Sequence, residues 1–196
     1  MASAAVLCGG LARRFGGRPK WELVVDGETI LQRQMTTLSA ADDIDEVLLV
    51  GGTAAHPAAR SIVDHVPGLG PLSGIHAALT EARANTVLVL ACDMPYVSAA
   101  LAAYLIECAR DADVVVPWVA NRYHPLCAVY TRSCLGPIST RLAERRLKIQ
   151  DLVGDLRHRV VTDRELERFG EPHRLLQNVN TPVEYAALPD SRDNQL

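Results

Sequence analysis

Two uninterrupted apolar runs, Val47-Leu48-Leu49-Val50 and Thr86-Val87-Leu88-Val89-Leu90-Ala91-Cys92, constrain this chain more than any other feature. A strand with one face in water alternates apolar and polar residues. A strand that is apolar at every position is covered on both faces, as in a parallel sheet flanked by helices. Segments with helical spacing stand beside these runs. Residues 29–38 place Ile30, Gln34 and Leu38 four apart, and a helix opening at Pro71 spaces Leu72, Ile75, Leu79 and Ala82 by 3, 4 and 3. Proline suits a first helical position because its missing N–H has no partner to lose there. Shorter strands are expected at residues 4–7, 60–64, 114–116, 128–130 and 159–161, with a hairpin near Asn121-Arg122. Further helices are expected at 101–109, at 142–152 and from Thr181-Pro182 onward. This alternation predicts an α/β domain with a mostly parallel sheet and right-handed crossovers. Ligands of such sheets sit beyond the carboxyl ends of the strands, so residues just after strands carry the most functional weight.

Length and composition narrow the class. A chain of 196 residues predicts one domain, here 1–188, followed by a polar tail at 189–196. With 20 basic and 23 acidic side chains the net charge is -3, which excludes a globally basic nucleic-acid binder. Five cysteines without a C-x-x-C pair argue against a disulfide framework or a structural zinc site, and read as buried small apolar residues. The first residues lack a basic segment, and Gly9-Gly10 interrupt the apolar stretch, unlike a signal peptide. No apolar run approaches the roughly 18 residues of a membrane span. The expectation is a monomeric cytoplasmic protein without membrane or nucleic-acid partners.

Chemistry concentrates after the strands. The first strand runs into Leu7-Cys8-Gly9-Gly10-Leu11-Ala12-Arg13-Arg14-Phe15-Gly16-Gly17-Arg18-Pro19-Lys20. Glycines let a backbone approach a ligand and present its N–H groups, and Arg13, Arg14, Arg18 and Lys20 add clustered positive charge. Together they suit a polyphosphate. No Gly-Lys-Ser/Thr closes the loop, so it is not a Walker A motif, and its spacing is not that of a dinucleotide fingerprint. Asp93 follows the strongest strand and precedes Met94-Pro95. It suits a magnesium ligand, since magnesium takes one or two carboxylates and completes its shell with water and phosphate. It equally suits a helix cap or Asx-turn. Asp64 also follows a strand and precedes a Gly/Pro-rich turn, and by itself it reads as a turn residue. His124 precedes Pro125, and a lone histidine is more often structural. The other five histidines lack metal-ligand spacing. Asn178-Val179-Asn180-Thr181-Pro182 reads as a helix cap.

In combination these pieces resemble the molybdenum cofactor guanylyltransferase family, over residues 6–187. Leu7 to Lys20 is similar to the family's L-x-G-G-x-x-x-R-x-G-G-x-x-K loop. Gly70-Pro71-Leu72-Ser73-Gly74-Ile75, Cys92-Asp93-Met94-Pro95, His124-Pro125-Leu126 and Asn178 to Pro182 resemble its later segments, in the same order. The resemblance implies a single-domain, Rossmann-like, three-layer nucleotidyltransferase fold. It also implies a reaction in which the terminal phosphate of molybdopterin attacks the α-phosphate of GTP and expels pyrophosphate. By position, Leu7, Cys8, Gly9, Gly10 and Asp64 would contact the nucleotide. Lys20 and Arg14 would neutralise phosphate charge, and Asp93 would touch both GTP and Mg²⁺. Asn178 and Asn180 would floor the pterin pocket. A phosphate nucleophile has a second pKa of about 6 and is already ionised, so no general base is needed. Positioning and charge neutralisation remain. One cation 4 Å from a phosphate charge supplies up to roughly 4 kcal/mol at an effective dielectric of 20.

The chain departs from the family pattern at three places. Cys8 replaces an alanine, Pro19 stands where aspartate commonly precedes the lysine, and Gly51-Gly52-Thr53 stands where an asparagine often contacts the nucleotide. The rival readings are a cytidylyltransferase for the same pterin, which usually carries L-A-A-G in the first loop, a sugar- or polyol-phosphate nucleotidyltransferase, and a non-catalytic GTP-binding module. Transient contact with a cofactor-insertion or chaperone protein would suit a labile product.

Overall fold

In the computed structural model, which describes residues 1–9 and 15–188, ten strands and eight α-helices follow one another along the chain. The strands are β1 (Ala2–Leu7), β2 (Val24–Val25), β3 (Glu28–Thr29), β4 (Ile44–Val50), β5 (Arg60–Ile62), β6 (Thr86–Ala91), β7 (Val114–Val119), β8 (Arg122–Tyr123), β9 (Cys127–Thr131) and β10 (His158–Thr162). The helices are α1 (Ile30–Ser39), α2 (Pro71–Glu81), α3 (Ala99–Glu107), α4 (Leu135–Ala143), α5 (Ile149–Asp155), α6 (Asp163–Leu166), α7 (Pro172–Leu175) and α8 (Pro182–Ala186).

The main sheet has the order β10-β7-β9-β6-β1-β4-β5, with β8 paired to β7 and β2-β3 forming a separate ribbon. β9 runs antiparallel to both its neighbours, while the β10-β7, β6-β1, β1-β4 and β4-β5 pairs are parallel. The continuous apolar runs divide between two cores as a period-2 strand requires. Leu88 and Leu90 of β6 join Ala4 and Val6 of β1 under α1 and α3. Val87 and Val89 join Ala5 and Leu7 under α2, α4 and α5. This is the expected three-layer α/β arrangement. Among the described residues no helix is long and apolar enough to cross a membrane.

Local chemistry sets the element ends. Thr29 caps α1 through a capping box with Gln32, and Pro71 opens α2 at its first turn. The expected hairpin lies at Ala120-Asn121, both at positive φ (52° and 59°), and joins β7 to the short β8. The helix expected at 142–152 is instead two helices. α4 ends at Ala143, Arg145 adopts φ 56°, and α5 starts at Ile149. A left-handed residue cannot propagate a right-handed helix, and apolar spacing continued across the break hid it. The ribbon β2-β3 and the short α6 and α7 lie outside the predicted elements. The tail at 189–196 lies outside the described residues.

Candidate active site

The site gathers at the carboxyl ends of β1, β4 and β6, with one wall contributed from far along the sequence. Asp93 lies two residues past β6 and is 7% exposed. Its carboxylate is not a helix cap, since Ser98 caps α3. Instead Lys20 Nζ donates to Asp93 Oδ2 at 2.7 Å and to Asn180 Oδ1 at 2.8 Å. Asn178 Nδ2 donates to Asp93 Oδ1 at 2.8 Å. Four sequence-predicted residues thus form one hydrogen-bonded group.

The backbone explains why. The N–H of Val179 donates to the Asp93 carbonyl at 2.9 Å. Val179 is fully buried with Leu23, Val25 and Ile30 in a third, small core. Extended residues on either side of a buried one face the opposite way, which turns Asn178 and Asn180 toward Asp93 and Lys20. Capping of α8 falls to Thr181, whose side chain accepts from Glu184 N–H. Lys20 begins a short 3-10 turn whose cap residue is Pro19, with φ -60° and ψ 140°. Trp21 packs on the large core beside it.

Gln34 was missed as a site residue. It is 2% exposed, and its Nε2 donates to the carbonyls of Ala91 (2.8 Å) and Met94 (3.1 Å). It thereby fixes the turn that carries Asp93. An amide within the apolar stripe of a helix was the available signal, since buried polar groups require partners.

Beyond β1 and β4 two loops touch. The N–H of Cys8 donates to the Val50 carbonyl at 2.9 Å. Gly52 has φ +69°, and a Cβ there would stand 2.7 Å from the Cys8 carbonyl oxygen. Glycine at 52 is therefore required by backbone packing, and Gly51, at φ +71°, would set a Cβ 3.3 Å from Gly9 Cα. Gly74 leaves room for Leu7, whose side chain would lie 3.2 Å from an added Cβ. This part of the Gly70–Ile75 motif seats α2 on β1. Cys8 and Cys92 are buried free thiols, and a hydrogen bond with Cys8, followed by burial, pushes the Cys92 thiol well up.

Asp64 serves its turn. One carboxylate oxygen accepts from Val66 N–H at 3.0 Å and the other from Ser73 Oγ at 2.7 Å. It borders Gly51, hence the β1 and β4 loops, and has no hydrogen bond to the Lys20-Asp93 group. Gly10, Arg13 and Arg14 lie outside the described residues.

A pocket of about 460 Å³ adjoins Asp93 through Met94 and Asn178, and its rim includes Arg122, Tyr123, His124 and Lys148. His124 is 8% exposed, and its pKa falls to about 4, through burial first and the nearby Arg122 second. Its ring bonds the Val119 backbone, while Nε2 is buried without a partner among the described residues.

For a metal, Asp93 is the available carboxylate. Each oxygen accepts one hydrogen bond from a described side chain and keeps a second lone pair. One hard oxygen ligand fits magnesium, which draws most of its shell from phosphate and water. Among the described residues no group of three or more His, Cys, Asp or Glu is arranged for a metal.

The mostly parallel sheet, the glycine-bearing turns past β1 and β4, and the lysine-carboxylate pair past β6 place the candidate site at the carboxyl edge of an α/β domain. The comparisons make the class specific. Residues 4–161 match the family model described as MobA-like NTP transferase domain. A probable molybdenum cofactor guanylyltransferase of Pelotomaculum thermopropionicum is 35% identical over 92% of this chain and 88% of its own. A molybdenum cofactor guanylyltransferase of Desulfosudis oleivorans is 33% identical over 91% of this chain and 90% of its own. The crystal structure of molybdopterin-guanine dinucleotide biosynthesis protein A from Archaeoglobus fulgidus matches with TM-score 0.75, at 24% identity and 94% coverage of both chains. A 2-C-methyl-D-erythritol 4-phosphate cytidylyltransferase from Thermus thermophilus shares the fold, with TM-score 0.67, 20% identity and coverage of 94% and 95%. The chain belongs to the MobA-like NTP transferase family and is a nucleotidyltransferase.

Proposed function

We propose that this protein transfers GMP from GTP to molybdenum-bearing molybdopterin, forming the guanine dinucleotide cofactor and releasing pyrophosphate. The observation that carries the reading is the joining of Lys20, Asp93, Asn178 and Asn180 in one group, 2.7–2.8 Å apart at each link. The names of curated relatives at 35% and 33% identity over nine-tenths of the chain support the same substrates.

In this reading the turns at Leu7-Cys8-Gly9 and Gly51-Gly52 flank the nucleotide, with Asp64 behind them. Gly10 and Arg14 complete the loop. The Lys20 ammonium has three protons, of which Asp93 and Asn180 take two, leaving one for a phosphate oxygen. The acceptor takes the pocket beside Asn178, where Arg122 and Lys148 offer charge to its phosphate and Tyr123 offers a ring face. Asp93 would hold Mg²⁺, which when bound neutralises triphosphate charge. The chain's own work is to align two anions and shield them from water; no side chain has to remove a proton from the nucleophile. The protein acts as a cytoplasmic monomer and hands its product to an insertion or chaperone protein.

The test is pyrophosphate release. With purified protein and magnesium, GTP should yield pyrophosphate only when molybdopterin is present. Release at the same rate without the pterin, or none with active pterin, contradicts the reading.

A further inference from the structure

We infer that Lys20 and the divalent metal compete for the Asp93 carboxylate, so that the metal enters with the nucleotide and not ahead of it. The inference rests on the nucleotidyl-transfer reading of this site.

The geometry sets the competition. Asp93 carries one negative charge, and the Lys20 ammonium neutralises it at 2.7 Å. The other oxygen is held by Asn178, so the carboxylate cannot swing to show the metal a fresh face without losing that bond. A metal bound to Asp93 would share one carboxylate with the ammonium, and like charges on one small group repel in a partly buried site. Among the described residues no cluster of further acids offsets that repulsion.

The release is built in as well. Lys20 is a flexible four-carbon stem with 25% of its side chain exposed, against 10% for Asp93. Its other partner, Asn180, is neutral and holds it without charge. A triphosphate offers the ammonium several negative oxygens. When Lys20 turns to them, Asp93 is left buried and unpaired, a costly state that a cation arriving on the same triphosphate relieves. Nucleotide and metal therefore favour each other's binding, and the coupling is reciprocal. Asn180 is the rest position of the lysine, and Asn178 keeps the carboxylate aimed while its counter-ion changes.

The experiment measures Mn²⁺ binding to the full chain without nucleotide, by the electron paramagnetic resonance of the free ion. Wild type is compared with Lys20→Met, and with Lys20→Gln as a second neutral variant, after circular dichroism and melting show each to be folded. The expected result is at least tenfold tighter Mn²⁺ binding in the neutral variants, abolished by adding Asp93→Asn. Affinities within about twofold of wild type overturn the inference, as does tighter binding that survives Asp93→Asn. A separate titration of wild type with GTP and Mn²⁺, followed by tryptophan fluorescence (Trp21 adjoins Lys20), judges the underlying reading. Failure there contradicts nucleotide binding, whereas binding there with no Lys20 effect on Mn²⁺ overturns only the competition.

Discussion

Asn178 donates to Oδ1 of Asp93 across 85 residues of sequence, so the carboxylate is aimed by the tertiary fold and not by its own turn. Val179 makes this possible by burying its side chain and bonding the Asp93 carbonyl. Outer partners of this kind set the orientation of a functional group. Asn178→Ala should lower turnover by about 10–100-fold and move the metal dependence to higher concentration. A variant with wild-type turnover across a metal titration would show that the contact is incidental.

Lys20 should matter more than any other single cation among the described residues. Lys20→Ala is expected to reduce turnover by about 10²–10³, as for loss of a preorganised charge donor. Steady-state kinetics at saturating GTP checks this, and a loss smaller than about threefold contradicts the role.

The Asp93 turn depends on Gln34. Gln34→Leu fits the apolar stripe of α1 but leaves the Ala91 and Met94 carbonyls without their side-chain donor. The expected cost is about 1–3 kcal/mol, read by urea denaturation, together with reduced turnover. Unchanged stability would mean that water or a shifted backbone replaces both bonds.

Gly52 is a steric prediction. A methyl group there meets the Cys8 carbonyl at 2.7 Å on a backbone with φ +69°. Gly52→Ala should therefore destabilise the fold by more than the ~1–2 kcal/mol of left-handed backbone strain alone, and weaken GTP binding. Calorimetric melting and a GTP titration report the two effects, and a neutral outcome in both rejects the packing argument.

His124 predicts an acid limb. Its folded pKa of about 4 lies below the ordinary 6.5, through burial, then Arg122 and more weakly His173, opposed by the Val119 backbone and Asp163. The unfolded chain thus takes up a proton more readily than the folded one. The stabilisation is complete above about pH 6.5 and is lost as pH falls toward 4, amounting to roughly 3 kcal/mol at most. Stability measured by denaturant from pH 7.5 to 4 should fall less steeply in His124→Asn. An identical slope in both proteins would assign the acid limb to other groups.

Much of this was legible in the residues. Runs such as Thr86–Ala91 announce strands covered on both faces because every residue must enter one of two cores. Lys20 and Asp93 stood out as a cation in a glycine-bearing loop and an acid past a buried strand. Their 2.7 Å contact was not legible, because proximity across 73 residues is set by sheet order, with β1 beside β6. Asn178 and Asn180 looked like helix caps because Thr181-Pro182 follows them. Only the burial of Val179 reveals that they face the other way. Gln34 falls in the helical stripe by its spacing, and the partner of its buried amide lies 57 residues away on the Asp93 turn, a distance that local pattern does not span. Gly51-Gly52 looked like a lost asparagine, and the Cys8 carbonyl supplies a steric reason for glycine there.

Transfer of GMP to the pterin is tested most directly by identifying the product. Purified protein would be given molybdenum-loaded molybdopterin, magnesium and either GTP or CTP, and the pterin analysed by mass spectrometry. A guanine dinucleotide formed with GTP, and no cytosine counterpart with CTP, is the expected result. A cytosine dinucleotide would keep the fold and the phosphate chemistry and contradict the base assignment. No dinucleotide with either nucleotide, from folded protein and pterin of proven activity, would contradict the account at its centre.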